Sequence, residues 1–133
     1  MKKVVLDTNV YISAILFGGI PQKIIAFARN KKIIIISSDY ILWEIQKVLR
    51  DKFNIPNDHL YKIEQDILKL TQLTYVSSKV NKITKDPTDN MILSSAIDGN
   101  ASFIVTGDKH LLEIGFFKNI KITTPFNFIK RLK

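Results

Sequence analysis

The chain has 133 residues, of which 46% are hydrophobic, and a formal net charge of +8. This length suits a single domain with a real core, and this apolar content is too high for a disordered protein. The absence of cysteine excludes a disulfide framework, a thiol nucleophile and a zinc–thiolate site. The positive charge favours a polyanionic partner, which is nucleic acid, an acidic protein or an anionic lipid surface.

Short apolar runs along the chain are the predicted strands. The run from Ile33 to Ile36 is β-branched and too short for a buried helix, so it is predicted to be a central parallel strand. In chain order, the predicted strands are residues 3–6, 33–36, 74–78, 103–106 and 120–123. None of these runs approaches the ~20 apolar residues that a membrane-spanning helix needs. Asp7 also interrupts any N-terminal signal sequence, so we expect a soluble, cytoplasmic protein.

The segments between the strands carry apolar residues at helical spacing. Pro21 suits the first turn of a helix, Ser38 or Asp39 can cap another, and Gly99 ends the helix before the fourth strand. In chain order, helices are predicted over residues 10–16, from 21 to about 29, from about 39 to 49, over 58–70 and 88–98, in a short turn at 111–114, and from 125 onward.

Strands that alternate with helices imply one α/β domain, residues 1–133, built around a mostly parallel sheet. Crossover connections in such sheets are almost always right-handed. The carboxyl ends of the strands and the amino ends of the helices then share one edge of the sheet, which is where ligands bind.

Four acidic residues fall at that edge. Asp7 ends the first strand, Asp108 follows the fourth, Asp89 lies in the first turn of the preceding helix, and Glu44 lies about one turn into the helix after the second strand. Two such charges about 4 Å apart repel by roughly 4 kcal/mol at an effective dielectric of about 20. A divalent cation would remove this cost, and carboxylate ligands favour Mg²⁺ or Mn²⁺. Taken singly, each acid can also be explained as a turn, cap or surface residue, so the prediction depends on their shared location.

The segments around these acids resemble those of the PIN-domain nucleases, and in particular the small prokaryotic PIN proteins that are toxins of toxin–antitoxin pairs. The resemblance covers about residues 3–130. It is carried by residues 5–10 (VLDTNV), 38–45 (SDYILWEI), 86–90 (DPTDN) and 104–112 (IVTGDKHLL).

The resemblance implies a PIN-like three-layer α/β/α sandwich with about five strands in the order 3-2-1-4-5. It also implies a Mg²⁺- or Mn²⁺-dependent endoribonuclease, with RNA as substrate, a cognate antitoxin as partner and a homodimer as a plausible assembly. The catalytic, metal-binding residues implied by the resemblance are Asp7, Glu44, Asp89 and Asp108. The residues that it implies as orienting ligands or water are Thr8, Asn9 and Thr106.

The chain departs from the family pattern at two places. His110 stands where many relatives carry an acid, which bears on a second metal site. Asp86 competes with Asp89 for the third ligand position, and the register before residues 91–93 favours Asp89. Asp86 is then an auxiliary ligand or a turn former before Pro87.

Two further predictions concern RNA. Four lysines around the cleft are expected to attract the phosphate backbone of RNA: Lys79, Lys82, Lys85 and Lys109. Trp43 is expected to pack in the core, and stacking on a base is the alternative.

Two other functions fit parts of the pattern. The first is a non-catalytic RNA-binding or partner-binding module with the same fold, which His110 keeps open. The second is a phosphoacceptor receiver-like domain, whose acidic pocket holds Mg²⁺. A receiver needs an acceptor aspartate directly after its third strand, and here none follows until Asp86.

Overall fold

Six strands form one sheet in the computed structural model, which describes residues 1–77 and 86–132. In chain order the strands are β1 Lys2–Leu6, β2 Ile33–Ser38, β3 Gln72–Thr74, β4 Phe103–Val105, β5 Phe116–Phe117 and β6 Ile120–Thr123. Their order in the sheet is β3-β2-β1-β4-β6-β5. All neighbours are parallel except β5 and β6. The predicted strand order is confirmed, with β6 as the fifth predicted strand.

Seven helices accompany the sheet in the described residues. They are α1 Thr8–Leu16, α2 Gly19–Arg29, α3 Asp39–Phe53, α4 Asn57–Leu70, α5 Pro87–Asp98, α6 Lys109–Ile114 and α7 Pro125–Leu132. The α5 helix packs against β1, β2 and β4, while α2 and α3 contact β2. This is the expected α/β sandwich.

The structure differs from the sequence prediction at two strands. The third strand begins and ends earlier, at Gln72–Thr74, and the remainder of the predicted run up to residue 78 lies partly outside the described residues. The sequence pattern predicts no strand at Phe116–Phe117, because a two-residue strand has no detectable period. It pairs antiparallel with β6 across the turn between them.

The middle of the sheet is the centre of the core. Val4, Val5 and Leu6 of β1 are completely buried, as are Ile104 and Val105 of β4. Such unbroken apolar runs are typical of parallel strands that are covered on both faces. Burying each aliphatic side chain contributes about 1.5–3 kcal/mol. The ends of β1 and β4 are therefore held firmly next to each other.

The helix boundaries have identifiable local causes. The Ser38 hydroxyl accepts a hydrogen bond from the Ile41 amide at 3.2 Å and thereby caps α3. Gly99 ends α5 as predicted, but with a φ of −88° rather than in the left-handed conformation. A Cβ at Gly99 would clash with the side chain of Ile36, so close packing against β2 favours glycine there.

No single helix in the part of the chain that the structure describes is long and apolar enough to cross a bilayer. The α1 and α2 segments meet that test only as a pair, and they are bent by 98° with respect to each other.

Candidate metal centre

The carboxyl ends of β1 and β4 place Asp7 and Asp108 near each other. Leu6 is in register with Val105, and the Asp7 amide donates a hydrogen bond to the Val105 carbonyl at 2.9 Å. The Thr106 hydroxyl donates to Asp7 Oδ2 at 2.7 Å and accepts from the Asp108 amide at 3.0 Å. Thr106 is completely buried, so it connects the two acidic segments rigidly.

Burial and neighbouring charges perturb the Asp7 carboxyl group, which is only 6% exposed. Burial raises its pKa above the ordinary value, and the negative charges of Glu44 and Asp108 act in the same direction. The hydrogen bonds from the Thr106 hydroxyl and the Thr8 amide partly offset this effect, because they stabilise the carboxylate. Glu44 and Asp108 therefore both lie within electrostatic reach of Asp7.

Asp89, at the start of α5, is the most strongly perturbed acid. It is 2% exposed, and its Oδ2 atom has no hydrogen-bond partner among the described residues. Its pKa is raised to about 7, mainly by burial and further by the negative charges of Asp108, Asp86 and Asp7. The carboxylate of Asp108 is the nearby charge with the largest influence on Asp89.

Glu44 is held by a residue that the sequence reasoning missed. The Tyr40 hydroxyl donates to Glu44 Oε2 at 2.9 Å and hydrogen-bonds Thr88 Oγ1 at 3.1 Å. Burial and the Glu44 charge raise the Tyr40 pKa to about 12, so the phenol remains a neutral donor. Tyr40 links α3 to the first turn of α5. The sequence feature that could have identified Tyr40 is its four-residue spacing from Glu44, because residues four apart lie next to each other on a helix.

The other residues considered for the site differ in burial and in hydrogen bonding. Thr8 is buried, and its hydroxyl has no partner within the described ranges, whereas Asn9 is exposed. Asp86 caps α5 by accepting a hydrogen bond from the Thr88 amide at 2.9 Å, which agrees with the predicted turn-forming role. Its role as an auxiliary metal ligand stays a prediction. The exposed His110 donates its amide to Asp108 Oδ1 at 2.8 Å.

Of the four lysines predicted to attract RNA, Lys109 is exposed at the first position of α6. Lys79, Lys82 and Lys85 lie outside the described residues.

The prediction that Trp43 packs in the core is wrong, because the residue is 56% exposed. The buried stripe of α3 is Ile41, Ile45 and Leu49. Trp43 lies two residues from both Ile41 and Ile45, about 200° around the helix, so it points away from the core.

The donor set fits a hard divalent cation. Among residues 1–77 and 86–132, no three acidic or histidine side chains lie close enough together, as they stand, to hold one metal ion. The buried Asp89 Oδ2 atom, which lacks a partner among the described residues, and the raised pKa values of Asp7 and Asp89 nevertheless indicate a pocket with excess negative charge. Carboxylate oxygens are the ligands that Mg²⁺ and Mn²⁺ prefer, and such an ion would offset the repulsion.

A mostly parallel sheet with Asp7 and Asp108 just beyond the ends of its two central strands is typical of a known class of protein. Residues 3–110 match the PIN domain family. The chain therefore belongs to the PIN domain family, whose members are generally nucleases and generally use divalent metal ions. The family and fold predictions are confirmed.

Two known proteins are similar along most of the chain. An uncharacterised protein of Methanocaldococcus jannaschii is 34% identical over 149 aligned residues, which cover 98% of this chain and 92% of that protein. The crystal structure of VapBC2 from Rickettsia felis, bound to a DNA fragment from their promoter, contains a similar chain with a TM-score of 0.63. The two chains are 20% identical, and the match covers 90% of this chain and 96% of that one. This second likeness establishes a shared fold.

Proposed function

We propose that this protein is an endoribonuclease that hydrolyses RNA phosphodiester bonds with Mg²⁺ or Mn²⁺. One observation carries the proposal, which is the pair of acidic segments joined by Thr106. The Thr106 hydroxyl bonds Asp7 Oδ2 at 2.7 Å and the Asp108 amide at 3.0 Å, and the buried Asp89 lies within electrostatic reach of Asp108. A buried group of acids with raised pKa values is stable at neutral pH only if a cation or protons compensate its charge.

Each side chain has a defined part in this proposal. Asp7, Glu44, Asp89 and Asp108 would hold the metal, and Asp86 is an auxiliary candidate. When bound, a divalent ion lowers the pKa of water and neutralises charge on a phosphoryl group. Thr106 orients the Asp7 carboxylate, and Tyr40 orients that of Glu44. The net charge of +8 draws the RNA backbone towards the protein.

Mutation of the acids tests the proposal directly. Asp7→Asn and Asp108→Asn should each lower cleavage of a single-stranded RNA by at least about a hundredfold, since a bound metal supplies several kcal/mol of charge stabilisation. Cleavage is followed with Mg²⁺ or Mn²⁺ and again after addition of EDTA.

Asp58→Asn is the matched control, because Asp58 is an exposed acid in the first turn of α4. It should retain the activity of the parent. Full metal-dependent cleavage by Asp7→Asn, or cleavage that EDTA leaves unchanged, would refute the assignment.

We further propose that the protein is the toxin of a toxin–antitoxin pair and that its partner is a cognate antitoxin. The support is the shared fold with a chain of the VapBC2 complex, together with family membership. A homodimer is also proposed. Co-expression with the protein encoded by the adjacent gene should give a stable complex with suppressed RNA cleavage. A neighbour that neither binds nor inhibits would contradict the toxin role and leave the nuclease proposal intact.

The competing function is a non-catalytic RNA-binding or partner-binding module. The observation that favours it is that, within residues 1–77 and 86–132, no three acidic or histidine side chains are close enough to bind one metal ion. The same RNA assay separates the two functions, since the module would bind RNA without cleaving it in either metal. The receiver-like alternative gains no support from the family match.

A further inference from the structure

One face of α3 carries an unusual set of side chains. Tyr40, Trp43, Glu44 and Lys47 are spaced three and four residues apart, so they lie side by side along the helix. This face is distinct from the buried stripe of α3. Its centre is Trp43, which is 56% exposed although it is the largest apolar side chain of the protein.

The indole of Trp43 is in contact with both an aromatic ring and a cation. Its centroid lies 6.0 Å from that of Tyr40, with an angle of 42° between the ring planes. The Lys47 Nζ atom lies 5.1 Å from the indole centroid, within the range of a cation–π interaction. Both contacts stabilise the indole in this position at the surface.

The same face leads directly to the acidic site. The Tyr40 hydroxyl donates to Glu44 Oε2 at 2.9 Å, so only one tyrosine ring separates the indole from a proposed metal ligand. A strand of RNA whose phosphate lies at the acids would therefore pass over or beside the indole with an adjacent nucleotide.

The surroundings of the indole favour a nucleobase over an apolar protein surface. The side chains beside it on this face of α3 carry a phenol, a carboxylate and an ammonium group, so the ring has polar and charged neighbours along the helix. Single-stranded RNA is bound through aromatic rings that stack on unpaired bases and through cations that contact the backbone.

We propose that Trp43 is a stacking platform for an unpaired base next to the phosphate that is cleaved, and that Lys47 contacts the backbone of the same nucleotide. This inference rests on the proposed ribonuclease function and adds two RNA-contacting residues to it. It requires an unpaired base at that position, because the bases of a duplex are already stacked on one another.

The experiment uses the fact that Trp43 is the only tryptophan of the chain, so intrinsic fluorescence reports on it alone. A short single-stranded RNA is titrated into the full-length Asp7→Asn protein in Mg²⁺, where binding is measured without cleavage. We expect the fluorescence to be quenched by this RNA, and to remain nearly unchanged with an abasic ribose–phosphate oligomer of equal length or with duplex RNA.

Substitutions measure the contribution of the ring to affinity. Adding Trp43→Ala removes this fluorescence, so affinity is measured here by the anisotropy of a dye-labelled RNA. The substitution should weaken binding of single-stranded RNA roughly tenfold, as expected for the loss of one base–aromatic stack, and should leave binding of the abasic oligomer unchanged. Trp43→Phe should retain most of the affinity, because it retains a ring. Tyr61→Ala is the matched control, since Tyr61 is an exposed aromatic residue on α4, 67% accessible.

Three results would overturn the stacking proposal. They are unchanged fluorescence on addition of single-stranded RNA, equal RNA affinities of the Trp43→Ala and Tyr61→Ala proteins, and fluorescence that changes only with protein concentration, which would assign the ring to contact with a second copy of the chain. Failure of the ribonuclease proposal is seen separately, as a parent protein that does not cleave RNA. Cleavage by the parent without quenching would reject the stacking role alone.

Discussion

At the scale of single residues, Thr106 decides how the candidate site is arranged. It is completely buried, and its one hydroxyl serves both acidic segments at the strand ends. Its hydrogen bond is the largest effect that lowers the pKa of Asp7. The family resemblance implies that Thr106 orients a ligand or water, and the structure adds the two hydrogen bonds that its hydroxyl makes.

Thr106→Val should destabilise the protein and alter Asp7. The substitution preserves volume but leaves Asp7 Oδ2 and the Asp108 amide without this partner, which costs about 1–3 kcal/mol in a buried site. The pKa of Asp7 should rise further, because burial then acts without that compensation. Urea unfolding gives the stability change, and NMR titration of the carboxyl carbons gives the pKa. Thr123→Val, at the end of the adjacent strand β6, is the control, and equal effects of the two substitutions would contradict a special role for Thr106.

At the scale of elements, α3 connects stability with the site. Its amino end is capped by Ser38, whose hydroxyl accepts from the Ile41 amide at 3.2 Å and from the Ser95 hydroxyl at 2.9 Å. The first turns of the same helix then present Tyr40 and Glu44 to the acidic edge. The start of α3 therefore fixes the direction from which Glu44 approaches the other acids.

Ser38→Ala should lower the free energy of unfolding by about 1–2 kcal/mol, through loss of the cap and of the buried hydroxyl pair. It should also reduce RNA cleavage at a temperature where the protein remains folded, because the first turn of α3 loosens.

Ser37→Ala is a closely matched comparison for this variant. Ser37 is an equally buried neighbour, but its hydroxyl pairs with Thr71 Oγ1 at 2.8 Å and does not cap the helix. Both variants should be less stable than the parent, and only Ser38→Ala should lose activity. Equal activities in the two folded variants would show that the α3 cap has no influence on the site.

At the scale of the whole molecule, a protein of net charge +8 concentrates acids at one edge of its sheet. In the metal-free protein, the pKa of Asp89 is about 7, whereas an ordinary aspartate has 3.8. Between these pH values the native state holds a proton that the unfolded chain has released. The stabilisation from this group is complete below about pH 4 and is lost as the pH rises towards about 7.

We therefore expect the free energy of unfolding in EDTA to fall between about pH 4 and pH 7, by up to a few kcal/mol at about 1.4 kcal/mol per pKa unit. Urea unfolding at several pH values measures this slope. Asp89→Asn removes the titrating group, so its profile should be flatter over the same range. Mg²⁺ should reverse the slope in the parent, because metal ions bind deprotonated carboxylates. A parent profile in EDTA that is as flat as that of Asp89→Asn between about pH 4 and pH 7 would contradict the prediction.

The sequence by itself determined the alternating α/β architecture, because this feature depends on local patterns: unbroken β-branched runs, helical spacing of apolar residues, and turn or cap residues at their ends. The family and the order of the five main strands followed from the resemblance of four short segments to PIN-domain nucleases, and not from those patterns. Four acids at predicted strand and helix ends were sufficient to nominate a metal site, since parallel strands place their carboxyl ends at one edge.

Only the tertiary structure decided which side chains touch. The Tyr40–Glu44–Thr88 network, the bridge formed by Thr106 and the exposure of Trp43 depend on how α3, α5 and the ends of β1 and β4 are oriented in space. A period in the sequence shows which face of a helix is apolar, but the contacts of its polar face are set by elements that are distant in the chain. Packing of the core fixes the relative positions of those elements to within an ångström or so. Hydrogen bonds form or fail over differences in distance of that size, so the contacts follow from the packing.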